Sequence, residues 1–364
     1  MTRARAARPL VFVASLIALS ACSRPTDAPP QQATSPSAAP ALPTGAAIGA
    51  LPRGPRAYVS NEGSGDVTVI DLASKKAIAT FPVGKRPRGI QRSPDGSRIY
   101  VALSGTAASP PGSNATPPPP DPSAHGVGVI DPVTLAVVDR LPVGTDPEQF
   151  AVGIDGKKLY VANEDAATAS VLDIASRQVE STLHVGEEPE GVAASPDGRW
   201  VYVTCEGTGA VEVIDVATTK IVKEIAVGGR PRAAAFLPDM SKAYVTSETG
   251  GTVTVVAIAD QSIAKTVKIE GRPMGVVVAP DGKTVYVTTG RGATVAVVDT
   301  AKDEVVGSIP VGERPWGLAI SPDGQTLYVA NGLSNDVSIV DTATRKETGR
   351  ITVGARPWGV VVVP

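Results

Sequence analysis

From residue 56 onward the chain is written in short apolar runs of about four to eight residues, and none keeps the 3.6-residue period of a helix. One stretch shows the pattern. Residues 317–321 are small and apolar, Pro322-Asp323-Gly324 signals a tight turn, and residues 326–330 are apolar again around Tyr328. A polar loop follows at 331–335. Residues 336–341 then alternate Val337 and Ile339 with Ser338, and 347–353 form a fourth run. Each run reads as a strand.

The four-strand unit recurs. Pro87, Pro147, Pro189, Pro231, Pro273, Pro315 and Pro357 stand 60 residues apart at the first interval and 42 at each of the next five. All seven tyrosines, Tyr58, Tyr100, Tyr160, Tyr202, Tyr244, Tyr286 and Tyr328, occupy one repeat position. Asp71, Asp131, Asp173, Asp215, Asp299 and Asp341 close the third strand, and Ala257 takes that place in the remaining unit. Four strands in 42 residues make one propeller blade. The markers therefore predict an all-β, seven-bladed β-propeller with four antiparallel strands per blade. The repeat region, 56–364, starts at a second strand and stops at 358–364, a first strand without a blade. The C-terminal strand should complete the N-terminal blade and close the ring. That composite blade is numbered I, and the others follow to VII.

The elements Tyr160-Val161-Ala162-Asn163, Tyr328-Val329-Ala330-Asn331 and Tyr58-Val59-Ser60-Asn61 carry a resemblance. With the Val-Ile-Asp strand and the Val-Gly-x-x-Pro turn, residues 57–364 resemble the YVTN family of bacterial and archaeal β-propeller repeat proteins. The resemblance implies the fold and leaves the activity open. Blade V departs from it at Met240 and Ala257, blade III at Gln149 and Gly153-Ile154.

The N-terminal part is of another kind. Arg3, Arg5 and Arg8 precede a short apolar stretch, 10–19, about half of what a bilayer span needs. Leu19-Ser20-Ala21-Cys22 resembles a bacterial lipobox. Residues 1–21 are expected to be a lipoprotein signal peptide and Cys22 the lipidated residue. Ser23 favours the outer membrane by resemblance to sorting patterns. Residues 22–55, rich in Pro, Ala, Ser and Thr, read as a disordered tether. Cys205 is the other cysteine of the mature chain, so no internal disulfide is expected. Without residues 1–21 the chain has 31 basic and 36 acidic residues, which speaks against nucleic-acid binding. A monomer is expected.

Two loop sets should share the face around the channel mouth. The residue before each marker proline is Arg356, Arg86, Asp146, Glu188, Arg230, Arg272 and Arg314 in blades I to VII; the residue after it is Trp358, Arg88, Glu148, Glu190, Arg232, Met274 and Trp316. The loops after the second strands add Glu62, Glu164, Glu206 and Glu248, with Gly290, Gly332 and Arg291 in blades VI and VII. Read blade by blade, the mouth is bipolar. Arg88, Arg272, Arg291, Arg314, Trp316, Arg356 and Trp358 form a candidate site for an anionic, partly aromatic ligand. Asp146, Glu164, Glu188 and Glu206 form a candidate site for a hard cation.

An insertion of 18 residues within 103–126 carries Pro117-Pro118-Pro119-Pro120 and reads as a polyproline loop on the same face. The two histidines, His125 and His184, lie far from any partner with metal-ligand spacing. No haem motif, nucleophile elbow or phosphate loop occurs, so no cofactor and no catalytic residue are assigned. The favoured expectation is a non-enzymatic binding or scaffold module for an envelope protein or a small anionic ligand. The alternative, implied by related-looking propellers, is an enzyme or enzyme subunit: lactonase-like, or the propeller subunit of a periplasmic quinone-dependent dehydrogenase.

Overall fold

The computed structural model describes residues 54–106 and 119–364. The expected signal peptide, Cys22, nearly all of the tether and most of the polyproline insertion lie outside the described residues. The remainder forms seven sheets of four antiparallel strands. In six of them the strands run in chain order. In the seventh, Pro357–Val363 pairs with Arg56–Asn61, setting Val361 against Tyr58 and Val360 against Val59. The C-terminal strand thus completes blade I as the pattern predicted.

The core lies between blades rather than within them. Seven clusters of buried apolar residues each join two neighbouring blades. One joins Tyr58, Val69 and Phe81 of blade I to Ile99, Val101 and Leu135 of blade II; another joins Tyr328 and Ile339 of blade VII to Val59, Val360 and Val362 of blade I. All seven tyrosines are buried in these seams. The Asp markers have a different role. Each caps the turn after the third strand: Asp71 accepts from the Ser74 N–H at 2.8 Å, and Asp341 from the Thr344 N–H at 2.7 Å. Ala257 has no such oxygen, and there Asp260 serves instead, accepting from Ser262.

A hydroxyl in the second strand joins several blades to the next. Thr288 Oγ1 accepts from the Gly275 N–H at 2.8 Å and donates to the Trp316 carbonyl of blade VII at 2.6 Å. Thr246, Thr204 and Ser60 do the same toward Met274, Arg232 and Arg88. The first strand bulges at this level, between Pro273 and Val276 in blade VI. The hydroxyl takes up an N–H that the bulge removes from the ladder. Neighbouring innermost strands approach closely here. A Cβ on Gly275 would lie 2.5 Å from the Trp316 carbonyl, and one on Gly317 2.6 Å from that of Trp358. Glycine at these positions is what lets the innermost strands of neighbouring blades come this close.

Candidate functional site at the channel mouth

The two loop sets share one face and are bonded together. The N–H groups of Glu62, Glu164, Glu206, Glu248, Gly290 and Gly332 donate to the carbonyls of the residues before the marker prolines, at 2.8 to 3.1 Å. Those seven pre-proline residues all have positive φ, from 43° at Arg86 to 66° at Arg272. This backbone favours glycine and costs other residues about 1–2 kcal/mol. The chain nevertheless places Arg at five of the positions, with Asp146 and Glu188 at the others.

The residues after the prolines form an inner ring, in order Trp358, Arg88, Glu148, Glu190, Arg232, Met274 and Trp316. They fill the mouth. A void of about 30 Å³ lies among Glu190, Arg232, Met274, Trp316 and Trp358. Below the ring the channel opens to about 600 Å³, walled by small residues such as Ala151, Ala193, Ala235 and Ala319, and reaches Pro322 and Pro364 at the other end.

Arg88 and Arg232 each hold a group of acids. Arg88 contacts Glu148, lies 3.2 Å from Glu62 and 3.6 Å from Glu164. Arg86 adds contacts to Glu62 at 3.3 Å and Asp146 at 3.7 Å, and Ser104 donates to Asp146. On the other flank Arg232 lies 2.9 Å from Glu190 and 2.6 Å from Glu248, and contacts Glu206, which Arg230 also meets. Burial, then the neighbouring Glu190, raise the Glu206 carboxyl to about 9; burial, then Glu190 and Asp146, raise Glu164 to about 8. Burial alone would raise Glu248 too, but Arg232 beside it outweighs this and holds it below the usual range. Burial and neighbouring acids thus push one glutamate in each arginine-held group, Glu164 and Glu206, toward the neutral form.

This differs from a plain division into acidic and basic sides. Arg88, counted by blade as part of the basic side, stands among the acids. Of the four candidate cation ligands, Asp146 and Glu164 converge with Glu148, their carboxylate oxygens within 4.8 Å of one another. Glu206 belongs to the Arg232 group, and Glu188 is exposed. Arg86 and Arg88 already meet the converged carboxylates, supplying the positive charge that a cation would bring.

The arc of blades VI, VII and I gathers four arginines, Arg272, Arg291, Arg314 and Arg356. Arg272 pairs with Glu248 at 3.2 Å and Arg356 with Glu62 at 3.0 Å, one at each end of the arc. Arg291 is exposed. Arg314, half-buried, rests over Trp316 at 5.2 Å and has no carboxylate within ion-pair distance among the described residues. Burial and the nearby Arg232, Arg356 and Arg291 lower its pKa against the opposing pull of Glu248. The tryptophans have a supporting role. Trp316 and Trp358 stack with centroids 5.8 Å apart at 26°, Arg232 lies 5.5 Å from the Trp316 ring, and Trp358 is only 7% exposed. They hold the arginines in place, and little aromatic face is left for a ligand. The repeat position after the proline grouped Glu148, Glu190 and Arg232 in one ring from the sequence, but it did not show that Arg88 and Arg232 each gather acids from neighbouring blades.

Known proteins agree with this architecture. Residues 177–358, half of the chain, match the family described as lactonase, 7-bladed beta-propeller, and residues 121–196 match YNCE-like beta-propeller. No curated protein matches the chain. Among solved structures, Kuenenia stuttgartiensis hydrazine synthase is 24% identical, with a TM-score of 0.65 over 76% of this chain and 95% of that one. A Bacteroides uniformis protein provisionally described as a 6-phosphogluconolactonase is 18% identical, with a TM-score of 0.68 over 85% and 99%. A Desulfotomaculum acetoxidans protein of unknown function is 15% identical, with a TM-score of 0.70 over 84% and 98%. These three likenesses concern the fold alone. With seven closed blades and a match over half its length, the chain belongs to the lactonase seven-bladed β-propeller family.

Proposed function

We propose that the mouth recognises a small organic anion, held on the arc of blades VI, VII and I. The reading rests on Arg314, a half-buried guanidinium among three others and without a carboxylate of its own. A bound carboxylate or phosphate would relieve that repulsion, and the arginine fork fits either one. Gly290 and Gly332 add no side chains at the places where the other side of the mouth carries glutamates. Titration with citrate and inorganic phosphate tests this. Arg314→Ala is expected to weaken binding about tenfold or more, the size of one charged hydrogen-bonded contact. Equal affinity in the parent and in Arg314→Ala would sink the proposal.

A second reading, hydrolysis of a lactone, is favoured by the acids opposite. Glu206, raised to about 9, is a proton donor at neutral pH beside the Glu190 carboxylate. Ring opening uses such a pair: a carboxylate takes a proton from water as its oxygen bonds to the carbonyl carbon, and an acid protonates the departing alkoxide. The family match supports testing it. A panel of sugar lactones followed by acid release should show turnover that Glu206→Gln abolishes. No turnover in the parent, or turnover that survives the substitution, would remove this reading. We also read Cys22 as a lipid anchor, on Leu19-Ser20-Ala21-Cys22, and the outer membrane as its site, on Ser23.

A further inference from the structure

At three blade seams a buried tyrosine hydroxyl of one blade ends on an oxygen of the next. Tyr58 donates to the Pro132 carbonyl at 3.3 Å, and Arg56 reaches the same oxygen at 3.3 Å. Tyr202 donates to the Gln261 side-chain oxygen. Tyr244 donates to Asp303 at 2.5 Å, and Lys242 joins it there at 2.6 Å. Gln261 and Asp303 occupy the same repeat position, a turn residue with φ of 56° and 52°.

Between blades III and IV that acceptor is missing. The turn position, φ 54°, is held by Thr219, whose side chain is shorter. Lys158 turns instead to Glu180 of its own blade, at 2.9 Å. Tyr160 is 3% exposed, and its hydroxyl has no hydrogen-bond partner among the described residues. Burial raises its pKa, with Lys158 and Asp155 close enough to act on it. Beside it lies a cavity of about 210 Å³ lined by Tyr160, Trp200, Val216, Ile154, Asp155 and Asp197.

The cavity owes its shape to departures from the repeat. Pro94 and Pro238 pack on Gly156 and Gly282 of the following hairpins. Blade III has Ile154 at that position, and it is 58% exposed. Trp200 stands where blade V has Lys242, and Arg199 rests over its ring at 5.1 Å. The resulting wall is apolar on one side and carries a hydroxyl on the other. About 150 Å³ is enough to admit benzene, so this volume admits a ring with one small substituent.

We propose that this cavity binds a small uncharged molecule bearing a carbonyl or amide oxygen. The oxygen takes the Tyr160 hydroxyl, as the Gln261 amide oxygen takes that of Tyr202. The apolar body lies against Ile154, Trp200 and Val216. Lys158 also lines the cavity, but it is paired with Glu180 at 2.9 Å; Asp155 and Asp197 then disfavour a carboxylate here, so the ligand differs in charge from the one proposed for the mouth.

Benzamide tests the assignment by ligand-observed NMR and by the melting temperature of the full chain. Saturable binding in the millimolar range is expected, weaker about fivefold or more in Tyr160→Phe and for benzoate in place of benzamide. Thr219→Gln should fill the cavity from within, abolish benzamide binding and raise the melting temperature. Arg314→Ala should leave benzamide binding unchanged, which separates this cavity from the mouth. The proposal is overturned if benzamide does not saturate, or if Tyr160→Phe and Thr219→Gln bind it as the parent does.

Discussion

A chain ending at Arg356 is expected to lose cooperative folding. The truncation removes the whole strand Pro357–Val363 from blade I. It takes away the buried Trp358, Val360 and Val362, at about 1.5–3 kcal/mol for each large apolar side chain withdrawn from water. It also removes the stack on Trp316 and the Gly359 N–H that bonds Ser60 Oγ at 3.0 Å. The strand Arg56–Asn61 becomes an open edge facing the channel. Two blade interfaces are damaged at once, because this strand contacts the innermost strands of blades II and VII. The summed loss is comparable with a typical net stability of about 5–15 kcal/mol. Thermal unfolding followed by circular dichroism checks it. Val360→Asp, a single buried charge at the same place, should lower the midpoint strongly without shortening the chain. A truncated protein melting like the parent would show that closure contributes nothing.

The second large effect is expected at Arg232. Replacing it with Met leaves Glu190, Glu206 and Glu248 without their shared cation. Removing one partner from a buried ionic group costs about 3–5 kcal/mol. The loss should depend on pH in a definite direction. Glu206 already titrates well above an ordinary glutamate, through burial first and Glu190 second, with Arg232 pulling the other way. Without Arg232 it rises further. A carboxyl whose folded pKa is raised binds more protons in the folded than in the unfolded state. Its favourable contribution is complete below about pH 4.5 and is lost as pH rises through about 9. Glu206 is protonated in both folded forms below about pH 9. The pH dependence of the deficit therefore comes from Glu248, which Arg232 holds low in the parent and burial raises once Arg232 is gone. The deficit of Arg232→Met should be smaller near pH 5 than near pH 9. Urea unfolding at both values measures it, and an equal deficit at the two would contradict the assignment. The parent should also lose stability between these limits, since Glu164, raised to about 8, acts in the same sense.

Much of this molecule is legible along the chain because each blade repeats the same solution. Tyr58 and its six equivalents mark the seams, Asp71 and most of its equivalents cap the turns, and the orphan strand at 358–364 announces how the ring closes. The mouth is legible only as a set of candidates. Repeat position names the residues of the inner ring without saying which neighbour each one faces. Arg88 was grouped with the basic residues because its own blade lacks an acid beside it; its actual partners come from blades I and III. Trp358, counted as a contact for a ligand, is largely spent on Trp316. The hydroxyl links of Thr204, Thr246 and Thr288 were missed because threonine in a strand is unremarkable until the bulge opposite it is known.

The sequence by itself determined the number of blades, their strand order and the manner of closure. These depend on periodicity and on backbone hydrogen bonding between consecutive segments, which a linear pattern records. Only the tertiary structure decided which charges neutralise one another, which guanidinium has no carboxylate within ion-pair distance and which tyrosines find an acceptor in the next blade. Those outcomes turn on separations of a few ångströms between residues of adjacent blades, some 24 to 60 positions apart in the chain. Electrostatic and hydrogen-bond energies change most steeply at such short range, and no periodic pattern encodes it.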